Sequence, residues 1–190
     1  SGEEDDPPYG VRSSVMIYQL QSGKPDYPQL VSGPNAQGLP IGWSAMSGMV
    51  ANPRSRKNEL LAVWDSFYCE GRVFTIDASS KPAVITKELP IVGNSVAMDA
   101  EGIAVAPDGT YWIASEGNAS DSRPNTLFQV DPKTGLVIRE VGLPEEILAC
   151  RAASTTRGTL GSGFEGVAVK REWWWGYKLL VAQQRGWNYT

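Results

Sequence analysis

The sequence contains no histidine. That removes the commonest general base, the commonest nitrogen ligand for zinc and every Ser-His or Cys-His nucleophile pair. Catalysis by this chain is therefore restricted to carboxylates, Arg, Lys, Tyr or a bound metal. Only two cysteines are present, Cys69 and Cys150, and they share no CxxC spacing. They form either one disulfide in an oxidising compartment or two buried thiols. No apolar run approaches the roughly 18 to 20 residues that cross a bilayer, and the opening SGEEDDPPYG has no basic flank followed by an apolar core. Neither a membrane span nor a signal peptide is read, and any targeting segment is expected to have been removed ahead of Ser1. A strongly basic domain is also lacking: the net charge is -4, which argues against a nucleic-acid partner. Residues 1 to 150 carry 11 basic and 19 acidic groups, whereas residues 151 to 190 carry six and two. The last fifth is thus locally cationic and suited to attracting an anionic ligand.

What is present describes a globular chain. Its 190 residues are 42% hydrophobic and 20% charged, enough for one domain with a sizeable core and unlike a disordered or coiled-coil composition. Residues 1 to 10 read as an acidic disordered tail, leaving 11 to 190 as the folded domain. Within it, short β-branched and aromatic runs (SVMIYQL, LLAVW, RVFTID, AVIT, GIAVA, TYWIAS, TLFQVD, LVIREV, GVAV, KLLVAQ) alternate with Gly, Pro, Asp, Asn and Ser clusters, which predicts an all-β fold. Only PEEILACRAAS, residues 144 to 154, has helical character, with Pro144 at the entry and acids in the first turn.

The strands repeat. SGMVANP from Ser47, EGIAVAP from Glu101 and EGVAVK from Glu165 begin alike, and each leads to a second apolar strand: LLAVWDS, YWIASEG and LLVAQQR. The first two copies share a third strand, RVFTID and TLFQVD, and a fourth, PAVIT and GLVIREV. Four strands per unit, starting near 47, 101 and 165, describe β-propeller blades with enlarged loops. About two and a half blades leave exposed edges and do not close a ring. The expectation is a partial propeller completed by more of the source sequence or by a second chain.

At EGIAVAPDGTYWIASEGN the sequence resembles the phytase-like β-propeller family, the family with esterase-like activity of phytase. Asp99, Glu101, Gly102, Ala114, Ser115, Gly117, Asn118, Leu127, Val130 and Asp131 carry the resemblance, and GFEGVAV from Gly163 and LLVAQQR from Leu179 extend it to roughly residues 39 to 187. It implies a six-bladed or similar propeller, usually exported, hence a secreted, periplasmic or extracellular location. It also implies hydrolysis of esters, since the calcium-dependent phytases of this architecture cleave phosphomonoesters. Where those continue the V-A-Q strand with an acid, this chain has Gln184 and Arg185, which removes a metal ligand and adds a cation.

In a propeller, residues at the same place in each repeat converge at one rim. Glu101 and Glu165 occupy one such place, with Ser47 in the first copy; Asp65 and Glu116 end the following strand, where the third copy has Gln184. Hard oxygen donors of this kind suit Ca²⁺. Asp99, Glu101, Glu116 and Glu165 are the expected calcium ligands, with Glu101 and Glu165 also serving catalysis as proton acceptors. Arg123 and Arg185 are the expected phosphate-binding cations. The bland alternative is that Glu-Gly is a scaffold feature, its carboxylate bonding amides of the neighbouring blade, and that the arginines are solvated.

Two functions follow from these readings. One is a calcium-dependent hydrolase acting on a small phosphate ester or other ester at the channel mouth. The other is a non-catalytic propeller that binds or assembles with a protein partner through its rim and through Trp173, Trp174, Trp175 and Tyr177. Carboxylates converging on one cavity favour the first; carboxylates splayed within their own blades favour the second. GTLGSGFEG lacks the Lys of a phosphate loop, and Asn118 and Asn188 fit glycosylation sequons.

Overall fold

Short runs of β-branched, aromatic and aliphatic residues build the strands, and LLAVW, YWIAS and TLFQV are near-continuously apolar because both of their faces are covered. The computed structural model describes residues 29–55, 57–65, 70–117, 124–153, 163–172 and 176–184. Among these, eleven strands and one helix follow in order: β1 (Leu30–Ser32), β2 (Met46–Ala51), β3 (Glu59–Trp64), β4 (Arg72–Asp77), β5 (Ala83–Pro90), β6 (Ala100–Val105), β7 (Tyr111–Ser115), β8 (Thr126–Val130), β9 (Val137–Gly142), α1 (Glu145–Ala153), β10 (Phe164–Arg171) and β11 (Tyr177–Gln183). The fold is all-β, as the sequence predicts.

Three separate sheets form, and none closes on itself. β2 to β5 make an antiparallel meander, β6 to β9 make a second, and β10 and β11 make an antiparallel pair. The first strands of the three sheets open at Met46, Ala100 and Phe164, where the sequence reading places unit starts near 47, 101 and 165. One strand was not legible: β1 pairs Leu30–Ser32 in parallel with Ala83–Ile85 on the outer edge of the first sheet. It is only three residues long, and Gly33 and Pro34 mark its end as a turn.

The middle sheet is covered on both faces. Ile103, Ile113 and Phe128 point to one side and join Leu61, Val63 and Val73 of the first sheet in a shared core. Trp112, Ala114 and Leu127 point to the other and meet Phe164, Val167, Tyr177 and Leu179 of the third. The indole of Trp112 completes that second contact by donating to the Tyr177 hydroxyl at 2.9 Å, so the ring is buried without an unmatched N–H. A third cluster, including Trp64, Phe74 and Ile85, fills the far face of the first sheet beneath Ile41.

The first strands of the three sheets lie backbone against backbone. A Cβ placed on Gly48 would sit 2.8 Å from the Cα of Gly102, and one on Gly102 would sit 2.8 Å from the Cα of Gly166. No side chain fits at either contact, so glycine is the residue that lets β2, β6 and β10 pack this closely. At the opposite end of these strands, Arg54 covers Gly109 of the Asp108-Gly109 turn and donates to the Pro107 carbonyl at 3.1 Å. Glu145 and Glu146 lie in the first turn of α1 and Arg151 in its last, favourable to the helix dipole. No described helix is long and apolar enough to cross a membrane. Residues 1 to 10, the apolar run from Ser14, Cys69, the Cys150 side chain, Trp173, Trp174, Trp175, Asn118, Asn188, Arg123 and Arg185 lie outside the described residues.

Candidate functional site

The three repeats share a distortion as well as a strand order. Pairing between the first and second strands slips between Met46 and Gly48, between Ala100 and Gly102, and between Phe164 and Gly166. The skipped residue is Ser47, Glu101 and Glu165 respectively. Each therefore sits on a β-bulge, a device that re-aims one side chain out of the regular alternation. The next residue in each copy is the glycine of the close backbone contact, so bulge and packing glycine form one two-residue unit.

A second shared feature closes the bulge. The amide of Asp65 donates to the Ala45 carbonyl at 3.1 Å, that of Glu116 to the Asp99 carbonyl at 2.9 Å, and that of Gln184 to the Gly163 carbonyl at 3.0 Å. The residue just past the second strand is thereby held two positions ahead of the bulge. Because the first strands abut through Gly48 and Gly102, the strand end of one sheet comes to lie beside the bulge of the next.

Carboxylates meet there. Ligand atoms of Asp65, Asp99 and Glu101 all lie within 4.8 Å of one another. Asp99 is buried, and its backbone amide donates to the buried Ser115 hydroxyl at 3.0 Å. The carboxyl of Glu101 is pushed up to about 8, first by burial and then by the negative charges of Glu165, Asp99, Asp65 and Glu116. No hydrogen bond and no nearby cation offsets those effects among the described residues. Glu101 is therefore a proton-holding group at neutral pH when no cation is bound.

Of the four carboxylates expected as ligands, Asp99 and Glu101 lie in the tight cluster, while Glu116 and Glu165 surround it as neighbouring charges. Glu116 also accepts the Gly163 amide of the third sheet at 3.4 Å. That is a scaffold-type bond to the amide leading into a neighbouring sheet, and Glu116 makes it. Asp65, in sequence the counterpart of Glu116 and not one of the four expected ligands, lies in the tight cluster as well. The structure adds it, because the first repeat has Ser47 at the bulge and supplies its acid from the next strand end instead. Arg123 and Arg185 fall outside the described residues.

The donor set fits a hard divalent cation. Two oxygens bound to one Ca²⁺ at 2.3–2.6 Å are at most about 5 Å apart, which accommodates three carboxylates within 4.8 Å. A cation would also replace the repulsion that loads Glu101 with a proton. Asp65, Asp99 and Glu101 are the residues that would hold it.

These features define a class: an all-β protein of repeated sheets whose bulged first strands gather carboxylates from successive repeats. A family model described as Phytase-like, esterase-like activity of phytase, matches residues 41–189. The match spans most of the chain, and the chain belongs to that family. No match was found among curated proteins or among solved structures.

Proposed function

We propose that the chain is a calcium-dependent hydrolase of the phytase-like family, cleaving phosphate esters or other small esters at the mouth of a β-propeller channel. The observation that carries this is the meeting of carboxylates from successive repeats around Glu101. Splayed carboxylates, each satisfied within its own sheet, would have favoured a purely binding module. The three sheets are read as blades, since their glycine-lined first strands pack side by side and the middle sheet is sandwiched between its neighbours. Closing a ring takes further blades, from additional chain or from a second chain. A secreted, periplasmic or extracellular setting, where calcium is plentiful, suits this reading.

Bound calcium would supply positive charge to neutralise a phosphoryl or carbonyl oxygen and lower the pKa of a coordinated water. Asp65, Asp99 and Glu101 would provide its oxygen ligands, and Glu101 would release its proton as the cation binds. Glu165, on the neighbouring bulge, would accept a proton from water, while Glu116 would brace the rim through the Gly163 amide. Arg123 and Arg185 would bind the anionic part of a phosphate ester.

The test is release of p-nitrophenol from p-nitrophenyl phosphate and from p-nitrophenyl acetate, with calcium present and with calcium chelated. Calcium-dependent turnover of either substrate supports the proposal, and the faster one sets the substrate class. Absence of turnover on both, from folded protein of native length, refutes it.

A further inference from the structure

Building on the calcium-site reading, we propose that Ser115 and Asn125 are positioning residues that hold the acidic site in shape from beneath. Both are buried polar side chains, with Ser115 fully enclosed and Asn125 2% exposed. The Ser115 hydroxyl accepts the Asp99 amide at 3.0 Å, and the Asn125 Nδ2 donates to the Glu116 carbonyl. Between them, the Glu116 amide donates to the Asp99 carbonyl at 2.9 Å, and the Glu116 Oε1 accepts from Gly163 at 3.4 Å. The result is a continuous run of hydrogen bonds, Asn125 to Glu116 to Asp99 to Ser115, with a branch to the third sheet.

Two observations separate this run from ordinary scaffold. The backbone bridge between strand end and bulge recurs in all three repeats, whereas a Ser and an Asn at these two places belong, among the described residues, to the second alone. From the strand registers, Ser115 corresponds to Trp64 in the first repeat, and Asn125 corresponds to Gly71. At that place in the first repeat the Trp64 indole donates instead to the Glu70 carbonyl at 2.6 Å, so the strand end is built there without the Ser and Asn. Moreover, the Asn125 Oδ1 is buried and accepts no hydrogen bond from the described residues, and an acceptor left in that state costs stability rather than adding it. A buried amide retained under that penalty, gripping the residue next to the carboxylate cluster, is explained by what it positions. Partners of this kind, one layer behind the ligands, typically change metal affinity by about 10- to 100-fold when removed.

The experiment uses the full chain and two readouts, calcium affinity by titration calorimetry and melting temperature in chelator. Ser115→Ala leaves the Asp99 amide unmatched; Asn125→Leu removes the grip on Glu116 together with the unmatched Oδ1. Thr134→Ala, in the remote Asp131 turn, controls for general loss of stability. The expected result is calcium affinity about 10-fold or more weaker in both site variants and unchanged in Thr134→Ala. Asn125→Leu should melt within a few degrees of wild type, since removing the unmatched Oδ1 offsets the lost bond, and Ser115→Thr, which keeps the hydroxyl, should recover affinity. Wild-type calcium affinity in both site variants, with only their melting temperatures lowered, overturns the inference and leaves the calcium site standing. A wild-type chain that takes up no calcium overturns the calcium reading and this inference with it.

Discussion

Replacing Glu101 with Gln should stabilise the calcium-free protein and abolish its response to calcium. Gln has the shape of the protonated side chain but cannot ionise. Moving the carboxyl from 4.5 to about 8 amounts, at 1.36 kcal/mol per pH unit, to a ceiling on the order of 5 kcal/mol. Glu101 is only partly enclosed, and solvent screening at such a site reduces the effect to about 2 kcal/mol. For a chain of this size that raises the melting temperature by roughly 4 to 8 °C. Saturating calcium reverses the ranking: wild type gains stability by mass action, about 2.7 kcal/mol at 100 times its dissociation constant, and the variant gains little. Differential scanning calorimetry at pH 7.5, with chelator and with calcium, measures both halves. A Glu101→Gln protein that melts below wild type in chelator refutes the reasoning, because it would mean that the carboxylate makes structural hydrogen bonds.

The same group sets a pH dependence. Its folded pKa lies above its unfolded value, so between about pH 4.5 and 8 the folded state holds a proton that the unfolded state has lost, and calcium-free stability falls as pH rises through that window. Urea melts in chelator at pH 5 and pH 8 should show the decline, and Glu101→Gln should flatten it. Asp131 has the opposite sign: hydrogen bonds from the Thr134 amide and hydroxyl and from the Lys133 amide hold its carboxyl below the ordinary 3.8. Its stabilisation is present above pH 3.8 and is lost as pH falls through the lowered value, so Asp131→Asn should reduce the acid sensitivity seen in pH-dependent melting. Gly102→Ala places a methyl 2.8 Å from the Gly166 backbone, and overpacking of this kind costs about 1–3 kcal/mol. A lowered melting temperature in chelator checks it; an unchanged one means that the strands separate without penalty.

The strand repeats were legible because each carries its own punctuation: an apolar run, a Gly or Asp turn, a second run. Glu101 and Glu165 stood out for the same reason, since a carboxylate followed by glycine at the head of two copies survives without knowledge of pairing. The bulge was not legible, because it is a relation between two strands, visible only when Ala100 is seen opposite Ser115 and Gly102 opposite Ala114. Asp65 was underrated for a similar reason: its approach to Glu101 depends on how one sheet lies against the next. Ser115 and Asn125 gave no signal of their own, since a Ser at a strand end and an Asn before a strand are common punctuation. β1 is too short for a pattern to develop, and its place in the first sheet is fixed by its parallel pairing with β5.

The Glu-Gly pair had two competing explanations from sequence, scaffold and site, and the structure assigns one to each residue. Glycine serves the scaffold: Gly48, Gly102 and Gly166 let three strands touch along their backbones. The preceding residue lies on the bulge, outside the regular ladder, and the position does not require a carboxylate, since Ser47 fills it in the first repeat. Where the position does carry Glu, it raises electrostatic repulsion among Asp65, Asp99, Glu101, Glu116 and Glu165. Packing acids together at a position that accepts serine is a cost the fold does not impose. A cation among them would offset that cost, which is the physical argument behind the calcium site proposed at the bulges.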